Sequence, residues 1–195
     1  MDRYSTFGLR LIWFESFLYG LEGWLRENTL GPVQKKAMRN YLLDIKLIDP
    51  KGNLTPLAYE FSEIYPKDPK AVWQVVWLNL CLNSKLFIFY WVAVPFGSQW
   101  RKEELIKKLV ELGYAERTAR NAINALTNTF EESPLGEWFG KRVERGVYYK
   151  EGLRELSFYA FKKAYELFGE NYEPYGYIFG IDREAFNYLL LKYNP

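Results

Sequence analysis

From Ala71 to Phe96 the chain is strongly apolar, and as a single helix this run would be long enough to cross a bilayer. Any fold must dispose of it. Asn79, Asn83, Ser84 and Lys85 interrupt it near the midpoint, where a lone charge in lipid would cost about 2.5–3.5 kcal/mol on insertion scales. The run therefore predicts two buried antiparallel helices joined at Asn83-Ser84-Lys85.

The flanking sequence reads as amphipathic helices. Leu9, Trp13, Phe17, Leu21 and Trp24 recur at helical spacing and predict a helix from Leu9 to Arg26, capped by Ser5 or Thr6. After Leu30-Gly31-Pro32 a second helix is expected to run to about Lys46. Leu47-Ile48, the turn Asp49-Pro50-Lys51-Gly52-Asn53 and Leu54-Thr55 then predict two short strands around a tight turn. Thr55-Pro56-Leu57 predicts the start of a further helix to about Tyr65, stopped by Pro66 and Pro69. Pro95-Phe96-Gly97-Ser98 is the expected division, giving an N-terminal half of residues 1–97 and a C-terminal half of residues 98–195.

The C-terminal half opens with a helix from Arg101 to Leu112, with Leu105, Ile106, Leu109 and Val110 inward and Gly113 as its stop. A short turn leads into a helix from Glu116 to about Phe130, a helix-turn-helix arrangement. A strand at Val147-Tyr148-Tyr149 and helices near Glu155–Phe168 and Asp182–Tyr193 complete the prediction. Met38-Arg39-Asn40-Tyr41-Leu42 parallels Ala119-Arg120-Asn121-Ala122-Ile123 at the same helical phase, a faint internal repeat. The expected fold is mainly α: two winged-helix-like units with short β wings, joined by the buried apolar helical pair.

Composition narrows the chemistry. The chain has no histidine, which removes the commonest general base and zinc ligand together. Cys81, the one cysteine, sits in the apolar run and reads as a buried structural thiol suited to a reducing compartment. No Gly-rich phosphate loop is present, and the acidic pairs Glu103-Glu104 and Glu131-Glu132 place neighbours on different helix faces. A non-catalytic protein with no cofactor and no metal is expected. Met1 to Ser5 lacks the basic and apolar signature of a signal peptide, so a cytoplasmic location off the membrane is expected. Lys and Arg total 26 against 24 acidic residues, so nucleic-acid contact would have to come from a local patch.

One helix offers such a patch. From Glu116 onward, Ala119, Ala122, Ile123, Leu126 and Phe130 share one face, and Arg117, Arg120, Asn121, Asn124 and Asn128 share the other. Arg can donate twice to a guanine edge, and Asn can donate to and accept from adenine. In the first unit, Val33, Ala37, Met38, Tyr41, Leu42 and Ile45 take one side and Lys35, Lys36, Arg39 and Asn40 the other, a face suited to phosphates or simply to solvent. Lys141, Arg142, Arg145, Lys150 and Arg154 are candidates for a basic wing, diluted by Glu144 and Glu151. Most aromatic rings fall at core spacing, which leaves Trp100, Trp138, Tyr148 and Tyr149 as candidates for exposure.

Between about Phe7 and Gly136 the chain resembles a prokaryotic family of unassigned function encoded beside DNA phosphorothioation genes and their phosphoadenosine-phosphosulfate-reductase-like proteins. The resemblance is carried by Phe7, Arg10 and Trp13; by Arg39-Asn40-Tyr41-Leu42 leading to Leu47-Ile48; by Leu54-Thr55-Pro56-Leu57; and by Trp73, Trp77 and Tyr90-Trp91. Glu15-Ser16 departs from it, and the segment after Gly136 has no counterpart. The resemblance implies a winged-helix-like participant in DNA modification or defence against foreign DNA. The reductase-like partner would carry a Ser-Gly-Gly-Lys-Asp-Ser type nucleotide loop, which this chain lacks. The leading expectation is a DNA-binding accessory or regulatory protein. The alternative is an interaction scaffold that docks on a reductase-like modification enzyme without touching DNA, as the aromatic richness would suit.

Overall fold

The computed structural model describes residues 1–193, and within them the chain is mainly helical with one small antiparallel sheet. The helices of the first half are α1 (Leu11–Gly20), α2 (Glu22–Arg26), α3 (Pro32–Asp44), α4 (Pro56–Ile64), α5 (Pro69–Asn83) and α6 (Lys85–Ala93). Then follow β1 (Ser98–Arg101), α7 (Lys102–Glu111), α8 (Glu116–Glu132), α9 (Leu135–Phe139), β2 (Lys141–Glu144), β3 (Val147–Lys150), α10 (Phe158–Phe168), α11 (Tyr172–Phe179) and α12 (Arg183–Tyr193).

The apolar run is α5 and α6, bent by 95° at the break between them rather than folded back antiparallel. The joint is the single residue Ser84, extended and fully buried, and one residue cannot reverse the chain. No single helix is long and apolar enough to cross a membrane among the described residues. The polar residues that break the run brace it: Asn79 Nδ2 donates to Ile45 O at 2.8 Å and Asn83 Nδ2 to Asp44 O at 3.0 Å. Gln74, buried on α5, donates to Glu155 O and accepts from Ser157 N, so both ends of its amide are satisfied. Trp77 stacks on Phe139 at 3.9 Å and donates Nε1 to Ile178 O, tying α5 to the second half. One hydrophobic cluster therefore runs from Tyr4 to Leu189 across the division expected at Gly97, with α5 common to both halves.

The predicted helix from Leu9 to Arg26 breaks at Leu21, whose φ of 41° lies in the left-handed region. Its start has no side-chain cap from Ser5 or Thr6, because Arg10 occupies the cap position. In the first half the two expected strands shrink to one bridge, Ile48 with Leu54. The amides of Leu47 and Ile48 turn back to Leu42 O and close the end of α3, so they are spent before a ladder can form. Of α3's expected apolar side, Ala37, Met38, Tyr41, Leu42 and Ile45 are buried and Val33 is exposed. Gln34 sits on that side because its side chain accepts from Gly31 N, closing the helix start.

The sheet belongs to the second half, in the order β1-β3-β2, with Trp100 opposite Tyr148 and Arg142 also opposite Tyr148. Trp100 and Tyr148 stack at 4.6 Å and are buried, contrary to their expected exposure; Trp138 and Tyr149 are half-buried. Lys150 on β3 is 0% exposed and does not extend the basic surface. Its Nζ donates to Val94 O at 2.7 Å and Trp91 O at 3.3 Å and lies 4.3 Å from the Phe96 ring centroid, so it closes the C-terminus of α6. Burial pushes its pKa down to about 8.

Candidate nucleic-acid interface

The sequence pattern of α8 is realised on its inner side: Ala119, Ala122, Ile123, Leu126 and Phe130 are all buried. The outer side divides in two. Arg117 and Arg120 are exposed and Asn121 and Asn124 half-exposed, so the N-terminal half of α8 reaches solvent. Arg120 is held by a carboxylate, with Nε and Nη2 both donating to Glu116 Oε1 at 3.0 and 2.7 Å. That pair is solvent-exposed and worth only about 0.3–0.5 kcal/mol, so a phosphate can compete for the guanidinium.

The C-terminal half of α8 is covered. Asn128 Nδ2 donates to Thr6 O at 2.8 Å, and Leu9 N donates to Thr129 Oγ1 at 2.9 Å. Between these bonds, a Cβ on Gly8 would fall 2.3 Å from the Asn128 and Thr129 backbone. Only glycine lets the N-terminal segment lie this close to the helix. Tyr41 hydroxyl also meets Thr129 Oγ1 at 3.1 Å, and Arg10 pairs with Glu132 at 2.8 Å. Asn128 is thus an internal fastener rather than a member of the outward face. The segment is anchored further by Tyr4, whose buried hydroxyl donates to Asp44 and lies 2.7 Å from Ser84 Oγ while its ring stacks on Tyr41 at 3.8 Å. Burial raises the Asp44 carboxyl above its ordinary range, partly offset by the Tyr4 hydrogen bond and Arg3.

Beside α8, against which it packs, β2 presents Lys141 and Arg142 to solvent, and Arg145 is exposed at the β2–β3 turn. Arg142 shares Glu131 with the Tyr148 hydroxyl. Of the other wing candidates, Lys150 is the buried cap described above and Arg154 pairs with Glu151 at 2.9 Å.

The first-half candidates lie elsewhere. Lys35, Lys36 and Arg39 are exposed on α3, and Lys35 and Arg39 line a pocket of 280 Å³ together with Lys51. Asn40 is spent on the N-terminal segment, donating to Arg3 O and accepting from Arg3. Lys51 was not legible as a site residue from local pattern, although it lies in the tight turn that follows a basic helix. Cys81 is buried and unpaired, and burial pushes its thiol pKa upward. Among the described residues, no group of three or more His, Cys, Asp and Glu is placed to hold a metal ion. Comparison with models of known protein families, with curated proteins and with solved structures finds no match.

Proposed function

We propose that the chain is a non-catalytic DNA-binding accessory or regulatory protein of a DNA modification (phosphorothioation) or defence system, whose second half is a winged-helix-like unit reading DNA through α8. The observation that carries this reading is the solvent-facing N-terminal half of α8, with Arg117, Arg120, Asn121 and Asn124, on a helix whose C-terminal end meets the β2–β3 hairpin at Glu131 and Arg142, with Lys141 and Arg145 also exposed on that hairpin. The element order α6, β1, α7, α8, α9, β2, β3 with sheet order β1-β3-β2 suits a helix-turn-helix followed, after the one short helix α9, by a wing. In this reading α8 enters a groove, the hairpin holds phosphates, and Asn128 makes no contact with DNA. The phosphorothioation setting rests on the residues of the resemblance alone.

A gel-shift series on duplex DNA tests it. Arg120→Ala with Asn124→Ala is expected to weaken binding about tenfold or more, since each good base-edge contact is worth about 1–3 kcal/mol. Unchanged affinity in that variant removes the basis of the reading.

The scaffold reading has its own support. Val92 and Leu112 are 74% and 66% exposed on either side of a shallow apolar groove between α6 and α7, floored by Phe89 and Ala93. Co-purification of a reductase-like protein that is lost on Val92→Glu, with no salt-sensitive DNA shift, would select it.

A further inference from the structure

The pocket on the first half has a composition that the DNA reading does not use. Its wall is Lys35 and Arg39 of α3 and Lys51 of the 49–53 turn, its floor is Leu25, Leu42 and Ile48, and Trp24 stands at its side. Three cations around an apolar floor, with no carboxylate in the lining, favour a ligand that is anionic at one end and flat and apolar at the other. Among the described residues none of the three forms an ion pair, so their charge is not already neutralised.

Arg39 is oriented before any ligand arrives. Arg39 Nη2 donates to Pro50 O at 3.0 Å, which orients the guanidinium and leaves its remaining N–H groups free to fork onto an oxyanion. Gly52, at φ 93°, places no side chain against that guanidinium, where a Cβ would come within 3.9 Å. Trp24 packs edge to face on Phe17 at 5.6 Å, an arrangement that holds the indole in one orientation at the pocket. One indole and three cations lining the same small volume match a planar base joined to a phosphate.

We propose that this pocket binds a nucleoside monophosphate, free or at the phosphorylated end of a strand, with Arg39, Lys35 and Lys51 on the phosphate and Trp24 against the base. The proposal narrows the role of Lys35 and Arg39 and leaves α8 out, so it and the duplex-DNA reading fail separately.

Isothermal titration of the full chain with AMP, adenosine, inorganic phosphate, and a short single strand with or without a 5′-phosphate tests it. AMP is expected to bind at least tenfold more tightly than either adenosine or phosphate. Lys51→Ala and Arg39→Ala, both surface changes, are each expected to cost about tenfold, the value of a charge-assisted contact. Trp24→Leu is expected to weaken AMP while sparing inorganic phosphate, and if that variant fails to fold, the Lys51→Ala comparison still decides. A 5′-phosphorylated strand that binds like AMP, against an inactive 5′-hydroxyl strand, identifies a strand end; a strand inactive in both forms identifies the free nucleotide. Arg117→Ala is expected to leave the titrations with AMP, adenosine and inorganic phosphate unchanged. The proposal is overturned if AMP binds no better than inorganic phosphate, or if Lys51→Ala and Arg39→Ala bind AMP as the parent chain does.

Discussion

Replacing Lys150 with methionine separates the electrostatic cost of burying an ammonium from the packing of the chain that carries it. The ordinary lysine value is 10.5 and burial lowers that of Lys150 to about 8, so the charged form is disfavoured in the native state. Between those two values the unfolded chain holds a proton that the folded chain has released. Stability contributed by this group therefore rises with pH across the window and is absent below it. From pH 7 to pH 9.5 the gain amounts to about 2 kcal/mol. The variant also loses the bonds to Val94 O and Trp91 O, a cost of about 1–3 kcal/mol that does not change with pH. Buried tyrosines such as Tyr4 and Tyr90, whose values are raised, act in the opposite direction but identically in both proteins. Urea unfolding at pH 7, 8, 9 and 9.5 should show the difference, parent minus Lys150→Met, growing by about 2 kcal/mol. A difference that stays constant over the series would refute the placement of Lys150 as a buried cation closing α6.

Two further changes test how the N-terminal segment is held on α8. Gly8→Ala would drive a methyl to 2.3 Å from the α8 backbone, and the loss should exceed about 3 kcal/mol in a thermal or urea melt; a loss under about 1 kcal/mol would contradict the close approach. Thr129→Val keeps the shape but leaves the Leu9 amide without its acceptor, so about 1–3 kcal/mol should be lost with DNA affinity unchanged; a drop in affinity at equal stability would place this stretch of α8 in the interface.

What was legible in the sequence was local. The inner face of α8 follows from apolar residues at helical spacing, and the starts of α3 and α4 follow from Pro32 and Pro56 in the first turn, where a missing amide costs nothing. The Glu116–Arg120 pair was equally legible, four residues apart on one helix, yet Glu116 lies just outside the arc of Arg and Asn that defined the candidate face. The features that escaped depend on distant partners. Strand β1 is four residues whose pairing with β3 no local pattern announces. Helix α11 forms despite Pro174 and Gly176, with Tyr175, Ile178 and Phe179 buried in the core. Asn128 reads as one of an outward stripe until Thr6, 122 residues earlier in the chain, accepts its amide hydrogen. The pocket around Trp24 joins residues from α2, α3 and the turn at 49–53, and only the fold assembles them.

If the open end of α8 meets DNA, the carboxylate of Glu116 restrains the contact, and removing it reads that contact out. Glu116→Gln takes away the charge that holds Arg120 without disturbing anything buried. In fluorescence-anisotropy titrations of labelled duplex DNA across a salt series, the parent chain should lose affinity steeply as salt rises. Glu116→Gln should bind several-fold more tightly than the parent at each salt concentration, by freeing one cation and removing one repelling charge. Salt-insensitive binding, or identical affinity in parent and variant, would contradict the assignment of α8 to DNA.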